Sequence, residues 1–223
     1  MNSDLLLQVR SVSKSFVQGT NRIEVLKNLE LSVRKGETVA ILGESGSGKS
    51  TLLSLLAGLD KPDKGNILID SFDISQMSEA ELTNVRGQLL GMVFQQYHLI
   101  PSLNALENIS LPLDIQKQVD AEVRSKNALA QVGLSHRASH LPHQMSGGEC
   151  QRVAIARAIV PRPLLLLADE PSGNLDVNTG THVLDMMFDI IKTNHMTALF
   201  VTHSEEVARR CQRRVHLKNG QLV

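Results

Sequence analysis

The sequence predicts an α/β protein with a mainly parallel sheet, a small antiparallel β-subdomain ahead of it and an inserted α-helical subdomain. Three observations carry this expectation. First, Thr38 to Leu42, Leu164 to Ala168 and Ala198 to Thr202 are short apolar runs of strand length, the pattern of parallel strands buried on both faces. Second, the run at Thr38 leads into a glycine-rich loop, after which Leu52, Leu55, Leu56 and Leu59 recur at i, i+3, i+4 and i+7, one face of a helix. Third, Pro101 to Pro142 turns helical in pattern and holds no β-rich run.

That loop, Gly43-Glu44-Ser45-Gly46-Ser47-Gly48-Lys49-Ser50-Thr51, fits the phosphate-loop pattern of Gly, four residues, then Gly-Lys-Ser or Gly-Lys-Thr. Glycines let the backbone curl with its N–H groups turned towards an anion. The helix that follows adds its positive dipole end. In such a loop Lys49 reaches the β- and γ-phosphates of a nucleotide, and the Ser50 hydroxyl ligates Mg²⁺. The plain alternative is a glycine-rich turn with a surface lysine, and the strand before and helix after argue against it.

A chain of 223 residues forms one large domain or two small ones, and either buries a core. Lys and Arg total 23 and so do Asp and Glu, so no charge excess points to nucleic acid. Cys150 and Cys211 are too few and too scattered for a disulfide framework or a zinc site, and suit a reducing compartment. No apolar run reaches the roughly 18 residues of a membrane span. Met1-Asn2-Ser3-Asp4 lacks the basic region and cleavage site of a signal peptide. Any membrane role is therefore expected to need a partner.

Taken in order, Leu5 to Val12 and Val25 to Val33 read as extended segments around a turn at Gly19-Thr20-Asn21. Phe16 lies there among Lys14, Ser15 and Gln18, and is either a ring that stacks on a base or a minor core residue. Pro62 to Gly65 is a turn before a short strand, Asn66 to Ile69. Ser78 with Glu81 is a capping box opening a helix to about Arg86. Gly91 to Phe94 is a strand, and Gln95 at its end offers an amide to Mg²⁺ or its water without adding charge; a surface glutamine is the plain alternative. Asn104 with Glu107 resembles another cap, and Ala121 to Val132 a helix. His136, His140 and His143 lack acidic or thiol ligands at metal-binding spacing.

Ser146-Gly147-Gly148 immediately precedes a helix whose Val153, Ala156, Ile159 and Val160 share a face, which makes a second anion grip or an ordinary cap with a loose glycine pair. Asp169-Glu170 ends the leucine-rich strand, where ligands bind in open α/β sheets. Asp169 suits Mg²⁺, Glu170 suits orienting or deprotonating a water, and a helix-capping acid pair is the alternative. His203 ends the next strand and can donate to a γ-phosphate. Ser204-Glu205-Glu206 caps a helix, and Asn219-Gly220 signals a closing hairpin.

Phosphate loop, strand-end Gln, Ser-Gly-Gly helix, Asp-Glu strand end and His, in that order, resemble the ATP-binding subunits of ABC transporters over essentially the whole chain. Leu99-Ile100-Pro101, Asn104 to Asn108, Leu111-Pro112 and Ser172-Gly173-Asn174-Leu175-Asp176 look like the branch serving lipoprotein release, macrolide-type efflux and cell division (LolD/MacB-like subunits). Gly43 to Asp60 and the tail Arg210 to Leu222 look most like the YbbA-like subunits.

The resemblance implies a P-loop NTPase core within a single ABC ATP-binding domain over 1–223, with its helical subdomain at about 96–160. It implies an Mg²⁺-dependent ATPase that homodimerises on ATP and drives a separate permease-like integral membrane subunit in export, efflux or extraction. Such a subunit sits on the cytoplasmic face of the inner membrane, peripheral and held only by its partner. Catalysis would fall to Glu170, His203, Lys49 and Gln95, with Mg²⁺ at Ser50, Gln95 and Asp169. ATP would be held by Phe16 and Gly43, Glu44, Ser45, Gly46, Ser47, Gly48, Lys49, Ser50 and Thr51. Ser146, Gly147 and Gly148 would close on the ATP of the opposite protomer, with Ser172 and Asp176 in the loop at the dimer contact. The alternatives are an ATP-switched scaffold in a membrane complex and a soluble non-transport ABC ATPase. The family's Leu-Ser-Gly-Gly-Gln reads Met145-Ser146-Gly147-Gly148-Glu149 here and is followed by Cys150. An acid at 149 is expected to oppose a triphosphate, and Cys150 to make the site thiol-sensitive.

Overall fold

The computed structural model describes residues 4–223. The signal-peptide expectation rests on Met1, Asn2 and Ser3, which lie outside them. The chain divides into two compact units, one formed by residues up to Arg86 with His195–Val223, the other by Gly87–Asn194.

In the first unit, β1 (Leu5–Gln18) and β2 (Asn21–Arg34) form a long antiparallel pair. Both strands run further than the sequence pattern indicates. Pairing continues from Lys14 opposite Leu26 to Phe16 opposite Ile23, but Asn21 to Glu24 are exposed without alternation. The backbone ladder persists where the period-2 signal, which needs one buried face, is gone. β4 (Lys64–Ile69) pairs with β1, and β5 (Phe72–Asp73) with β4, giving the order β2-β1-β4-β5. Leu7, Val9, Val12, Leu29, Leu31, Val33, Ile67 and Ile69 are buried.

A second set of strands is parallel. β3 (Thr38–Leu42) lies between β8 (Thr197–Thr202) and β9 (Arg213–Lys218). Every residue of β3 and β8 is buried, as continuous apolar runs require. β10 (Gln221–Leu222) returns against β9 through Asn219 (φ 50°) and Gly220 (φ 79°), the paired positive φ of a tight hairpin turn.

α1 (Lys49–Leu56) follows β3 and buries Leu52, Leu53, Leu55 and Leu56. Leu59 does not join that face and is 57% exposed. Gly58 (φ 63°) donates its N–H to Leu55 O (3.1 Å) and Leu59 N–H bonds Ser54 O (2.9 Å), a Schellman stop that turns the chain before the next helical position. α7 (Glu205–Arg210) is capped by Ser204 as the sequence indicates.

α2 (Glu79–Leu89) opens on the Ser78–Glu81 capping box, with Ser78 N–H donating to Glu81 Oε2 (2.8 Å) and Glu81 N–H to Ser78 Oγ (3.4 Å), and runs three residues beyond Arg86. In the second unit β6 (Leu90–Val93) pairs in parallel with β7 (Leu165–Asp169). Between them in sequence come α3 (Ala105–Ile115), α4 (Ala121–Gln131) and α5 (Gly147–Ile159). α3 opens on the complete Asn104–Glu107 capping box. α5 buries Cys150, Gln151, Val153, Ala154, Ile155, Ala156, Ala158 and Ile159, so it is enclosed well beyond the single apolar face read from its sequence.

α6 (Val177–Thr193) is not among the expected elements. Its buried Val183, Leu184, Met187, Ile190 and Ile191 nevertheless carry a helical period, and Asp176 caps it by accepting Thr179 N–H (3.1 Å). The α/β class, the antiparallel N-terminal sheet and the parallel strand pairs match the sequence expectation. No helix among the described residues is long and apolar enough to cross a membrane.

Candidate functional site

The phosphate-loop residues sit where β3 hands over to α1. Gly46 (φ 80°) and Gly48 (φ 100°) occupy the left-handed region, which side-chain-bearing residues pay to enter. A Cβ on Gly48 would also come within 2.9 Å of Leu26 Cδ2. Gly48 is the N-cap of α1 and supplies no side-chain hydrogen bond, so the first-turn N–H groups remain for an anion. Ser47 Oγ is buried among the loop atoms with no partner among the described residues. Lys49 Nζ donates to Gly43 O (2.7 Å) and Glu44 O (2.8 Å), which places the ammonium over its own loop.

Strand register then fixes a neighbour. Leu42 of β3 pairs with Thr202 of β8, so Gly43 and His203 leave the sheet side by side. Both line one open cavity of about 850 Å³, with Glu44, Ser45, Gly46 and Ser47. Phe16, on β1, is 43% exposed, with the Lys14 ammonium 5.3 Å from its ring centroid. Its open face leaves room for a stacking partner. Lys14 is itself held by Asp60 Oδ1 (2.7 Å) and Lys61 O (2.7 Å).

The second unit repeats the logic of strand ends. Val93 of β6 pairs with Ala168 of β7, so Gln95 follows the carboxyl end of β6 while Asp169 ends the adjacent parallel strand β7 and Glu170 follows it. Glu170 adopts φ 44°, a left-handed conformation unusual for a residue with a long side chain. The loop after it is tied by Gly173 N–H to Glu170 O (2.9 Å) and Leu175 N–H to Ser172 O (3.1 Å). A helix-capping acid pair does not describe these residues, because the cap of the next helix is Asp176.

The Ser146-Gly147-Gly148 stretch differs from expectation in one detail. Ser146 is the N-cap and both glycines lie inside the first turn of α5 rather than before it. The Ser146 hydroxyl oxygen accepts Glu149 N–H (3.3 Å), and the hydroxyl in turn helps to hold the Glu149 carboxylate ionised. The glycines also meet packing needs. A Cβ on Gly147 would lie 2.7 Å from Tyr97 Oη, and one on Gly148 would strike Thr179.

Glu149 and Cys150 behave otherwise than their position suggests. The Glu149 carboxylate turns back into the cap, accepting Ser146 N–H (2.8 Å), and pairs with Arg137 Nε (2.9 Å). The Ser146 backbone bond, followed by Arg137, holds its pKa below the ordinary glutamate value. Its charge is thus consumed locally instead of facing an anion. Cys150 is buried, and burial raises its thiol pKa. A protonated, enclosed thiol is unreactive, so the thiol-sensitivity expectation is corrected.

Glu149→Ala removes half of a capping box and is expected to cost about 0.5–2 kcal/mol. That corresponds to a melting-point loss of roughly 1–8 °C in a calorimetric scan. Glu149→Gln keeps an acceptor and should lose the smaller part.

Other polar residues join these segments without the sequence having given them a role of their own. Gln151, fully buried on α5, donates to Pro171 O (2.6 Å) and Phe94 O (3.4 Å). Arg157 donates to Tyr97 O (2.9 Å) and His98 O (2.7 Å), and its burial lowers its pKa. Asn174 bonds Gln95. Gln151 left a trace, a polar residue on an otherwise apolar helix face; Asn174 was read only as part of the Ser172-Gly173-Asn174-Leu175-Asp176 motif, with no partner assigned to it.

A phosphate loop at a strand-to-helix junction, with a histidine at the neighbouring strand end, defines a nucleotide-binding protein of the phosphate-loop α/β class. A family model described as "ABC transporter" matches residues 26–173. The chain is 46% identical over 222 residues to the lipoprotein-releasing system ATP-binding protein LolD of Legionella pneumophila (strain Paris), covering 99% of this chain and 98% of that one. It is 45% identical over 224 residues to the ABC transporter ATP-binding protein YbbA of Escherichia coli (strain K12), covering 100% and 98%. Its fold superposes on the ATP-binding cassette MJ0796, solved as a dimer in a post-hydrolysis state with ADP and Pi, with a TM-score of 0.90 at 38% identity, covering 97% of this chain and 96% of that one. The chain belongs to the ABC transporter family and is one of its ATP-binding cassettes, an ABC ATPase.

Proposed function

We propose that this cassette dimerises on ATP, hydrolyses it and drives a separate integral membrane subunit in export, efflux or extraction from the membrane. The observation that carries this most directly is the register that sets the phosphate loop beside His203 in one cavity. The similarity to LolD and YbbA supports the choice of branch, and the dimeric MJ0796 structures support the homodimer.

In this proposal residues 1–223 act as one ATP-binding domain, with the helical insertion at about 96–160. Phe16 stacks on the adenine, which its half-exposed ring permits. The N–H groups of the curled loop, the start of α1 and Lys49 hold the phosphates, and His203 donates to the γ-phosphate. Ser146 and the first turn of α5 grip the ATP of the partner protomer, the N–H groups and positive dipole end of that turn facing the anion. Glu170 orients the attacking water and accepts its proton. Catalysis is positional and electrostatic, since phosphoryl transfer asks the protein mainly to hold charge in place.

Ser50, Gln95 and Asp169 offer a hydroxyl, an amide oxygen and one carboxylate. These are hard oxygen donors with low charge, which fits Mg²⁺ shared with substrate phosphates and not a softer metal. When bound, Mg²⁺ neutralises developing charge on the phosphate oxygens. The protein attaches to the membrane only through its partner, on the cytoplasmic face, and the partner chooses the cargo.

A tagged Glu170→Gln variant, pulled down from detergent-solubilised membranes with ATP and Mg²⁺, tests this assignment by mass spectrometry. The expected result is one integral membrane protein with a large extracytoplasmic domain. Recovery of soluble partners alone would contradict the transport assignment and favour a soluble ABC ATPase.

A further inference from the structure

Gln95 is held by a two-point clasp from a residue 79 positions away. Its Nε2 donates to Asn174 Oδ1 (3.0 Å), and Asn174 Nδ2 donates to the Gln95 main-chain oxygen (3.0 Å). The second bond settles the first. A main-chain carbonyl only accepts, so Asn174 must direct its NH₂ there and its Oδ1 towards the Gln95 side chain. Facing an acceptor, the Gln95 amide must turn its NH₂ inward. The two faces of a glutamine amide are otherwise interchangeable, and here the network chooses between them. Oε1, the only atom of the side chain able to bind a cation, is the one the clasp does not use.

Gly173 makes room for this arrangement. Its φ does not lie in the left-handed region, so the backbone does not demand glycine. A Cβ there would lie 2.9 Å from Gln95 Nε2 and 3.3 Å from Cδ, closer than side-chain atoms pack. The loop that carries Gly173 and Asn174 is in turn pinned to Glu170 by the Gly173 N–H bond (2.9 Å). The glutamine and the loop following Glu170 are thus one hydrogen-bonded piece.

We propose that Asn174, with Gly173 as its clearance, is a positioning residue that presents Gln95 Oε1 as a cation ligand and joins that ligand to the Glu170 loop. This rests on the assignment of Gln95 to Mg²⁺ above. Asn174 acts through Gln95 and has no chemical role of its own.

The test uses Mn²⁺ as the probe, titrated into the full chain with ADP and followed by the paramagnetic signal of free Mn²⁺. Metal-free affinity for a fluorescent ADP analogue and the melting temperature are measured alongside. Losing one or two exposed hydrogen bonds is expected to raise the Mn²⁺ dissociation constant about twofold to tenfold in Asn174→Ala. Gly173→Ala should do the same by displacing the amide. Metal-free nucleotide affinity should stay unchanged in both and the melting temperature should fall by no more than about a few degrees, whereas a merely structural loop residue would lower stability and leave Mn²⁺ affinity alone. In Gln95→Ala/Asn174→Ala the second substitution should add nothing to the first.

Two failures are separable. If Gln95→Ala leaves Mn²⁺ affinity intact, the ligand assignment falls and the positioning role with it. If Gln95→Ala weakens Mn²⁺ binding but Asn174→Ala and Gly173→Ala do not, or if the effects add, the positioning role is overturned while the ligand assignment stands.

Discussion

Glu170→Gln is expected to lower ATP turnover by about two to four orders of magnitude, the usual reach of a lost general base, while ATP still binds. The amide keeps the size and the acceptor of the carboxylate but cannot take a proton at neutral pH. The fold should be untouched. Glu170 enters its loop with φ 44°, and the bond that ties the loop is made by its main-chain oxygen to Gly173 N–H (2.9 Å), which the substitution does not alter. Phosphate release measured beside nucleotide binding separates the two effects. Hydrolysis at the wild-type rate would remove Glu170 from the base role.

Lys49→Ala carries the second large effect, on binding. The Lys49 ammonium already lies over the loop, bonded to the carbonyls of Gly43 (2.7 Å) and Glu44 (2.8 Å). Engaging a triphosphate exchanges neutral acceptors for charged ones. Charge-assisted hydrogen bonds contribute about 1.5–3 kcal/mol each, so ATP affinity should fall roughly tenfold to a hundredfold. Removing the side chain leaves Glu44 O with water, because Glu44 is exposed. Stability should therefore change little. A calorimetric titration giving wild-type affinity would refute the assignment.

What the sequence made legible is what the backbone encodes locally. The phosphate loop, the Ser78, Asn104 and Ser204 caps, the Asn219-Gly220 turn and the buried strands each depend on residues within a few positions of one another. His203 was legible for the same reason, as the residue ending an apolar strand. The Gln95–Asn174 clasp and the Gln151 and Arg157 ties were not. They join atoms 79, 20 to 57 and 59 to 60 positions apart, and no periodicity links such pairs.

Glu149 shows a subtler limit. Its type and position suggest repulsion of an anion, but its charge is spent on the Ser146 cap and on Arg137, twelve residues upstream. The burial of Cys150 likewise comes from α5 being enclosed on most sides, which an apolar stripe along one face understates. Leu59 fell off its helix because Gly58 ends α1 one turn early.

In the proposed cycle ATP brings two copies of this cassette together, each contributing Ser146 to the other's nucleotide. Sedimentation velocity on the Glu170→Gln chain tests it most directly, because blocked hydrolysis lets the ATP-bound form accumulate. A shift from monomer with ADP to dimer with ATP and Mg²⁺, abolished by replacing Ser146 with a bulky acidic residue, is the predicted result. A chain that stays monomeric at saturating ATP, or dimerises equally with ADP, would contradict it.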